Sequence, residues 1–189
     1  MEKKKRILLD CDGVLADWAG YLLKKLDCGL TVDDIYDFKI RLVLKELRGN
    51  AMAKRSSVIC STTSFVSSQP KLAWADELVS LSRSLGDVIV LTSPWQSVGW
   101  YDARIQWLKG LGFKQDDVIV GRAKSWVAAV LFVDDKPANI IDWAVDNPSG
   151  RAVLLAWPCN VKHDPLPLNA RRLSPDELLT QLRIGAPTW

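Results

Sequence analysis

Short aliphatic runs of strand length recur along the chain: Ile7–Leu9, DVIVLT at 87–92, DVIV at 117–120, VLFV at 130–133 and AVLLA at 152–156. They are rich in Val, Ile and Leu and lack clean alternation, the pattern of strands covered on both faces. Segments with apolar residues at helical spacing lie between them. PKLAWADELVSLSRSLG (70–86) opens on proline and closes on glycine, as helices with ordinary start and stop signals do. WYDARIQWLKGLG (100–112) ends in the same way, and PANIIDWAVD (137–146) is a shorter helix. From residue 85 onward strand and helix alternate, which predicts an α/β fold with a parallel sheet and helices on both sides.

The interval 17–69 breaks that rhythm. Helical spacing is visible at 17–26, at about 31–38 and at about 41–49, followed by the polar stretch SSVICSTTSFVSSQ. Thr31 with Asp34 is a weaker relative of a capping box. A strand is conceivable only around Val58–Cys60. The pattern predicts a small, mostly helical cap (17–69) inserted after the first strand into a core made of 1–16 and 70–189.

Composition narrows the class without choosing a function. A hydrophobic fraction of 48%, 25 Lys+Arg and 22 Asp+Glu describe an ordinary soluble globular chain. The net charge of +3 is too small to argue for nucleic acid, and the KKKR cluster (Lys3–Arg6) reads as a solvated lead-in to the first strand. No signal peptide and no membrane-spanning run is visible. Four scattered cysteines without a C-x-x-C pair give the expectation of reduced thiols and a cytoplasmic setting. The one histidine, His163, sits in a proline-rich polar loop, so chemistry built on several histidines is excluded.

Chemistry concentrates where the predicted strands end. The first ends in Asp10-Cys11-Asp12, the second in Thr92-Ser93, the fourth in Asp134-Asp135, and Lys124 precedes the fourth. In parallel sheets the carboxyl ends of strands open into the binding crevice. Clustered carboxylates need a cation, and oxygen ligands select a hard one, magnesium above all, which shares its sphere with a substrate phosphate. Phosphoryl transfer suits such a site. One carboxylate can attack phosphorus and a second can carry the proton. Each motif alone has a plainer reading, as a turn, a helix cap or a surface charge; their joint placement favours the chemical one.

The order of these residues resembles the haloacid dehalogenase superfamily of phosphatases. DCDGVLAD is similar to its first motif, VIVLTSP to the second, Lys124 to the lysine of the third and LFVDDKP to the fourth. LLDCDGVLADW, LTSPW…RIQWLKGLG and FVSSQP further resemble the 5'(3')-deoxyribonucleotidases, although the cap does not obviously match. The resemblance implies a Rossmann-like three-layer core. It also implies Asp10 as nucleophile and magnesium ligand, and Asp12 as acid/base lending the metal its backbone carbonyl. Asp135 would be a direct metal ligand with Asp134 behind it, Thr92 and Ser93 would hold phosphate, and Lys124 would neutralise it. Gly13 lets the chain turn as it leaves the strand.

Nine tryptophans are many for this length. Trp74, Trp107 and Trp143 lie on helical faces and read as core. Trp18 follows the first motif, where the resembling nucleotidases carry an aromatic against the base, and is a candidate substrate platform; Phe38, Trp95 and Phe65 are weaker ones. Asp17 fits helix capping as well as catalysis, and Arg104 and Arg122 fit surface charges as well as phosphate contacts. The expected substrate is a small phosphomonoester, foremost a (deoxy)nucleoside monophosphate. A sugar or metabolite phosphate is the alternative, with a polynucleotide 3'-phosphatase or a non-catalytic binding module behind it. A cap closing over the site disfavours polymers. Neither a membrane nor a nucleic-acid polymer is an expected partner, and whether the chain forms a homodimer is left open.

Overall fold

The aliphatic runs assemble into one sheet of six strands among the described residues, 5–162 and 165–185 of this computed structural model; His163, Lys3 and Lys4 lie outside them. The strands are β1 (Arg6–Leu9), β2 (Asp87–Thr92), β3 (Val118–Val120), β4 (Leu131–Asp134), β5 (Arg151–Leu155) and β6 (Ala170–Leu173). Every pairing is parallel, in the order β3-β2-β1-β4-β5-β6. The helices are α1 (Trp18–Leu26), α2 (Ile40–Cys60), α3 (Thr63–Ser67), α4 (Ala75–Leu85), α5 (Trp100–Lys109), α6 (Pro137–Asp146) and α7 (Pro175–Arg183).

Successive side chains of a strand point to opposite faces, and the core divides accordingly. Ile7, Leu9, Val90 and Val133 pack with α4, α5 and α7 through residues such as Leu78, Leu108 and Leu182. Leu8, Leu91, Phe132 and Leu154 face the other way, onto Ile140 and Trp143 of α6. Burial on both faces explains why these strands show no alternation in the sequence. The result is a three-layer α/β core. A third apolar cluster joins Leu22, Leu23 and Leu26 of α1 to Val43 and Leu44 of α2 and Phe65 of α3.

Several boundaries differ from the sequence pattern for local reasons. The helix expected from Pro70 starts at Ala75, because Leu72 N–H is taken by Leu15 O (2.9 Å) and Lys71 bridges Ala16. The segment 31–38 holds one 3-10 turn, Val32–Asp34, closed by the Thr31–Asp34 capping box. The polar stretch after residue 55 is helical, and Val58–Cys60 is the last turn of α2 instead of a strand. Ser56 and Ser57 donate to Ala53 O at 2.8 and 3.2 Å, back-bonds that let serine sit inside a helix. Gly49, at φ 85°, breaks α2 into two halves. Strand β6 (ARRL) and helix α7 lie beyond the sequence expectation: two arginines hide an edge strand.

Candidate active site

Strand order reverses around β1, since the chain passes from β3 across to β4 on the far side of it. In such sheets ligands bind beyond the carboxyl ends of the strands at the reversal. Asp10 and Asp12 leaving β1, Thr92 and Ser93 leaving β2, and Asp135 leaving β4 all line one cavity there, of about 1390 Å³. Its opposite wall comes from α1, α2 and the segment between them, with Trp18 and Phe38 among the lining residues.

Asp10 is buried, and its Oδ1 accepts from Cys11 N–H (2.7 Å) and from Lys124 Nζ (2.8 Å). Lys124 is 3% exposed and stands behind the cavity wall; its ammonium also donates to Asp134 Oδ2 at 2.7 Å. Asp134 further accepts from Asn139 Nδ2 (2.9 Å) and Lys136 N–H (2.8 Å). Asp134 thus braces the lysine and the start of α6, while Asp135 is on the cavity wall. Carboxylate oxygens of Asp10, Asp134 and Asp135 all come within 4.8 Å of one another.

Gly13 makes this approach possible. It sits at φ +79°, and a Cβ there would lie 2.0 Å from Asp135 Oδ2, so both conformation and space demand glycine. Two indole N–H groups hold the loop: Trp157 donates to Gly13 O (2.8 Å) and Trp74 to Val14 O (3.0 Å). Asn160, fully buried, donates to both Asp135 O and Leu155 O at 2.8 Å, tying β4 to β5.

Asp12 has its own cation. Arg104 of α5, 1% exposed, donates to Asp12 Oδ1 (2.6 Å), Cys11 Sγ (2.8 Å) and Gln69 Oε1 (3.0 Å), with Trp100 and Trp107 against its guanidinium. Arg104 fits a surface charge as well as a phosphate contact in the sequence, but it is buried and pairs with Asp12. The signal for its burial was its register on α5, where Trp100, Arg104 and Leu108 form one inward stripe. Asn160 and Trp157 are held locally, Asn160 Oδ1 accepting from Trp157 N–H at 3.0 Å, but their contacts to Asp135 and Gly13 come from tertiary placement.

The electrostatics follow from burial. Desolvation pushes Asp10 up to about 7 even with Lys124 beside it, and Asp134 adds to the rise. Asp135 is raised well above the carboxylate range, again by burial first and then by Asp134 and Asp10. Burial alone would lower Lys124, but Asp10 and Asp134 reverse this and keep it protonated. Four carboxylates therefore face two buried cations, leaving the centre short of positive charge.

No family model matches the chain. The human mitochondrial 5'(3')-deoxyribonucleotidase is 31% identical over 184 residues, an alignment spanning 89% of this chain and 77% of the relative. The chain belongs to the haloacid dehalogenase superfamily of phosphatases. Solved structures share its fold at low identity. A haloacid dehalogenase-like hydrolase from Burkholderia xenovorans matches with TM-score 0.57 at 14% identity, covering 93% of this chain and 94% of that one. A magnesium-bound hydrolase of the superfamily from Bacillus subtilis matches with TM-score 0.54 at 13% identity, covering 96% and 99%.

As a phosphomonoester hydrolase of this superfamily, the protein brings all its strand-end candidates to one edge. The aromatic candidates separate. Trp18, Phe38 and Trp95 line the cavity. Phe65 is buried, stacked on Tyr21 (5.3 Å) and edge-on to Trp18 (6.2 Å). Asp17 caps α1, accepting from Gly20 N–H at 2.9 Å. Arg122 also lines the cavity and donates to Pro94 O at 3.1 Å. Trp107 holds Gln69 O through its indole N–H (2.7 Å), and Trp143 is fully buried. Among the described residues no helix is long and apolar enough to cross a membrane.

Proposed function

We propose that this phosphatase is magnesium-dependent and hydrolyses a small phosphomonoester, a (deoxy)nucleoside monophosphate, through an aspartyl-phosphate on Asp10. The observation that carries the reading is that the two aspartates leaving β1 face different cations: Asp10 meets Lys124, and Asp12 meets Arg104. Two aspartates one residue apart thereby acquire different environments, the condition for different roles.

The donor set fits a divalent cation. Asp10, Asp135 and the backbone carbonyl of Asp12 would hold it, with Asp134 kept behind by Lys124, Asn139 and Lys136. Oxygen donors and a deficit of positive charge are what magnesium satisfies. When bound, it offsets the charge of the phosphate and of the surrounding carboxylates.

The side chains supply the rest. Asp10 attacks phosphorus as the ester oxygen leaves, and Asp12 delivers the proton that oxygen needs. Asp12 then takes a proton from the water that cleaves the acyl phosphate, returning Asp10 as a carboxylate. Lys124, already on Asp10, offsets charge as the adduct forms. Thr92 and Ser93 hold phosphate oxygens from the neighbouring strand end. Interval 17–69 serves as the cap, and Trp18 is the platform for the base, a contact of roughly 1–3 kcal/mol per stacked base.

Phosphate release from a panel of nucleoside monophosphates, sugar phosphates and 3'-phosphorylated oligonucleotides tests the substrate class. Nucleotides should lead; a wide margin for sugar phosphates would overturn that assignment. Asp10→Asn should abolish turnover with the melting temperature retained, and residual activity near the native level would remove Asp10 as nucleophile. Chelation with EDTA should stop hydrolysis and magnesium should restore it.

A further inference from the structure

The cavity extends well beyond the strand-end carboxylates. Its volume of about 1390 Å³ exceeds the roughly 300–1,000 Å³ usual for small-molecule sites. The additional wall is supplied largely by α2, and it is basic. Arg41 and Lys45 lie one helical turn apart before the break at Gly49, and Lys54 follows on the second half. Arg41 and Lys45, four apart, share a helix face, and Lys54 beyond the break lines the same cavity.

These cations differ from others on the same helix. Arg48 donates to Cys28 O (3.0 Å) and Arg55 to Leu26 O (3.2 Å), so each serves to dock α2 on α1. Arg41, Lys45 and Lys54 have no hydrogen-bond or ion-pair partner among the described residues. The cavity-lining acids away from the strand ends are Asp17 and Asp37, and both are engaged by backbone N–H groups, of Gly20 at 2.9 Å and of Lys39 at 2.7 Å. A solvated helix face commonly carries opposite charges in register. Here three unpaired cations face a ligand cavity whose nearby acids are already occupied.

We infer that Arg41, Lys45 and Lys54 form a second anion subsite, and that the preferred substrate carries a second phosphate apart from the one cleaved, as a nucleoside bisphosphate does. The inference rests on the strand-end carboxylates being the phosphate-cleaving centre. One phosphate is held at Thr92 and Ser93, the base lies by Trp18, and the far phosphate meets α2. A guanidinium and two ammonium groups suit a dianion, with the arginine able to give two parallel hydrogen bonds. All three side chains are exposed, so attraction of this kind weakens as salt screens it.

The test reads competition, so that it does not depend on which nucleotide is turned over. Hydrolysis of p-nitrophenyl phosphate is inhibited with a nucleoside 3',5'-bisphosphate and with the 5'- and 3'-monophosphates of the same nucleoside. The bisphosphate should inhibit about tenfold more tightly than either monophosphate, equivalent to ~1.4 kcal/mol, and the ratio should shrink with rising salt. In the triple variant Arg41→Gln, Lys45→Gln, Lys54→Gln, verified as folded by its melting curve, the ratio should fall toward one. A native ratio near one, or a ratio that survives the triple variant, overturns the subsite. Strong preference for the bisphosphate as inhibitor with no phosphate released from any nucleotide would keep the subsite and remove the nucleotidase reading.

Discussion

Arg104 reaches Asp12 from the inward face of α5, and the pair constrains both partners. The guanidinium is buried and its other bonds go to Cys11 and Gln69, so the arginine cannot follow the carboxylate if that moves. In the proposed mechanism it would therefore fix where Asp12 presents its proton. Arg104→Met should lower kcat by about tenfold, a part of the roughly 10²–10⁴-fold that a positioned acid or base contributes, while Arg104→Lys should retain some of it. Removing one member of a buried pair costs about 3–5 kcal/mol. Asp12 is 33% exposed, so solvent can take over part of the lost interaction and the stability loss should be smaller, ~1–3 kcal/mol. Steady-state kinetics beside denaturant melts separate the two effects, and unchanged kcat with lowered stability would limit Arg104 to packing. Gly13 is the complementary case. Gly13→Ala forces a Cβ into the Asp135 carboxylate at a left-handed φ. The magnesium concentration for half-maximal activity should rise about 10–100-fold, the usual effect of disturbing a metal's supporting groups. A titration of activity against magnesium measures it.

At the scale of elements, the convergence of polar residues at the strand ends was legible in the sequence and the wall opposite it much less so. Asp10, Thr92 and Asp134 stand out because a buried parallel strand is apolar until the point where it has chemistry to place, and that break in pattern is visible without coordinates. Strand β6 and the second half of α2 defeated the same logic, whereas the first half carries the helical spacing visible at about 41–49. Arg171 is exposed and Arg172 half-buried on an edge strand, which therefore lacks the apolar run that marks central strands. In α2, serines that satisfy their hydroxyls on Ala53 O read as loop. Helix α7 does carry a local signature, the Ser174–Glu177 capping box with Pro175 between them. Ser174 Oγ accepts from Glu177 N–H, and Glu177 Oε2 accepts from Ser174 N–H at 2.7 Å. The bond from Ser174 N–H lowers the Glu177 pKa most, and the Ser174 hydroxyl, donating to Glu177 Oε2 at 2.8 Å, lowers it further. A depressed carboxylate pKa contributes stability above its unfolded value, near 4.3, and that contribution is lost as pH falls through the folded value. Ser174→Ala should cost about 1 kcal/mol at neutral pH and lower the melting temperature by ~2–4 °C. The gap between native and variant melting curves should narrow once pH drops below about 4, and a gap independent of pH would separate the cap from the charge on Glu177.

For the whole molecule the decisive quantity is the charge at the sheet edge. Three carboxylates of β1 and β4 come within 4.8 Å, a fourth stands beside them, and the fold supplies two buried cations, Lys124 and Arg104. Burial pushes Asp10 and Asp135 upward, and like charges this close add to the rise. A divalent cation that binds the folded chain and not the unfolded one removes this strain and stabilises by mass action, ~2.7 kcal/mol at one hundred times Kd. For a chain of 189 residues, each kcal/mol is worth about 2–4 °C, so saturating magnesium should raise the melting temperature by roughly 5–10 °C. The same experiment on Asp135→Asn identifies the source. Removing one crowded charge should raise the apo melting temperature or leave it level, and the response to magnesium should largely vanish. If that variant responded to magnesium as fully as the native chain, the ion would be acting elsewhere on the surface, and the assignment of Asp135 as its ligand would fail.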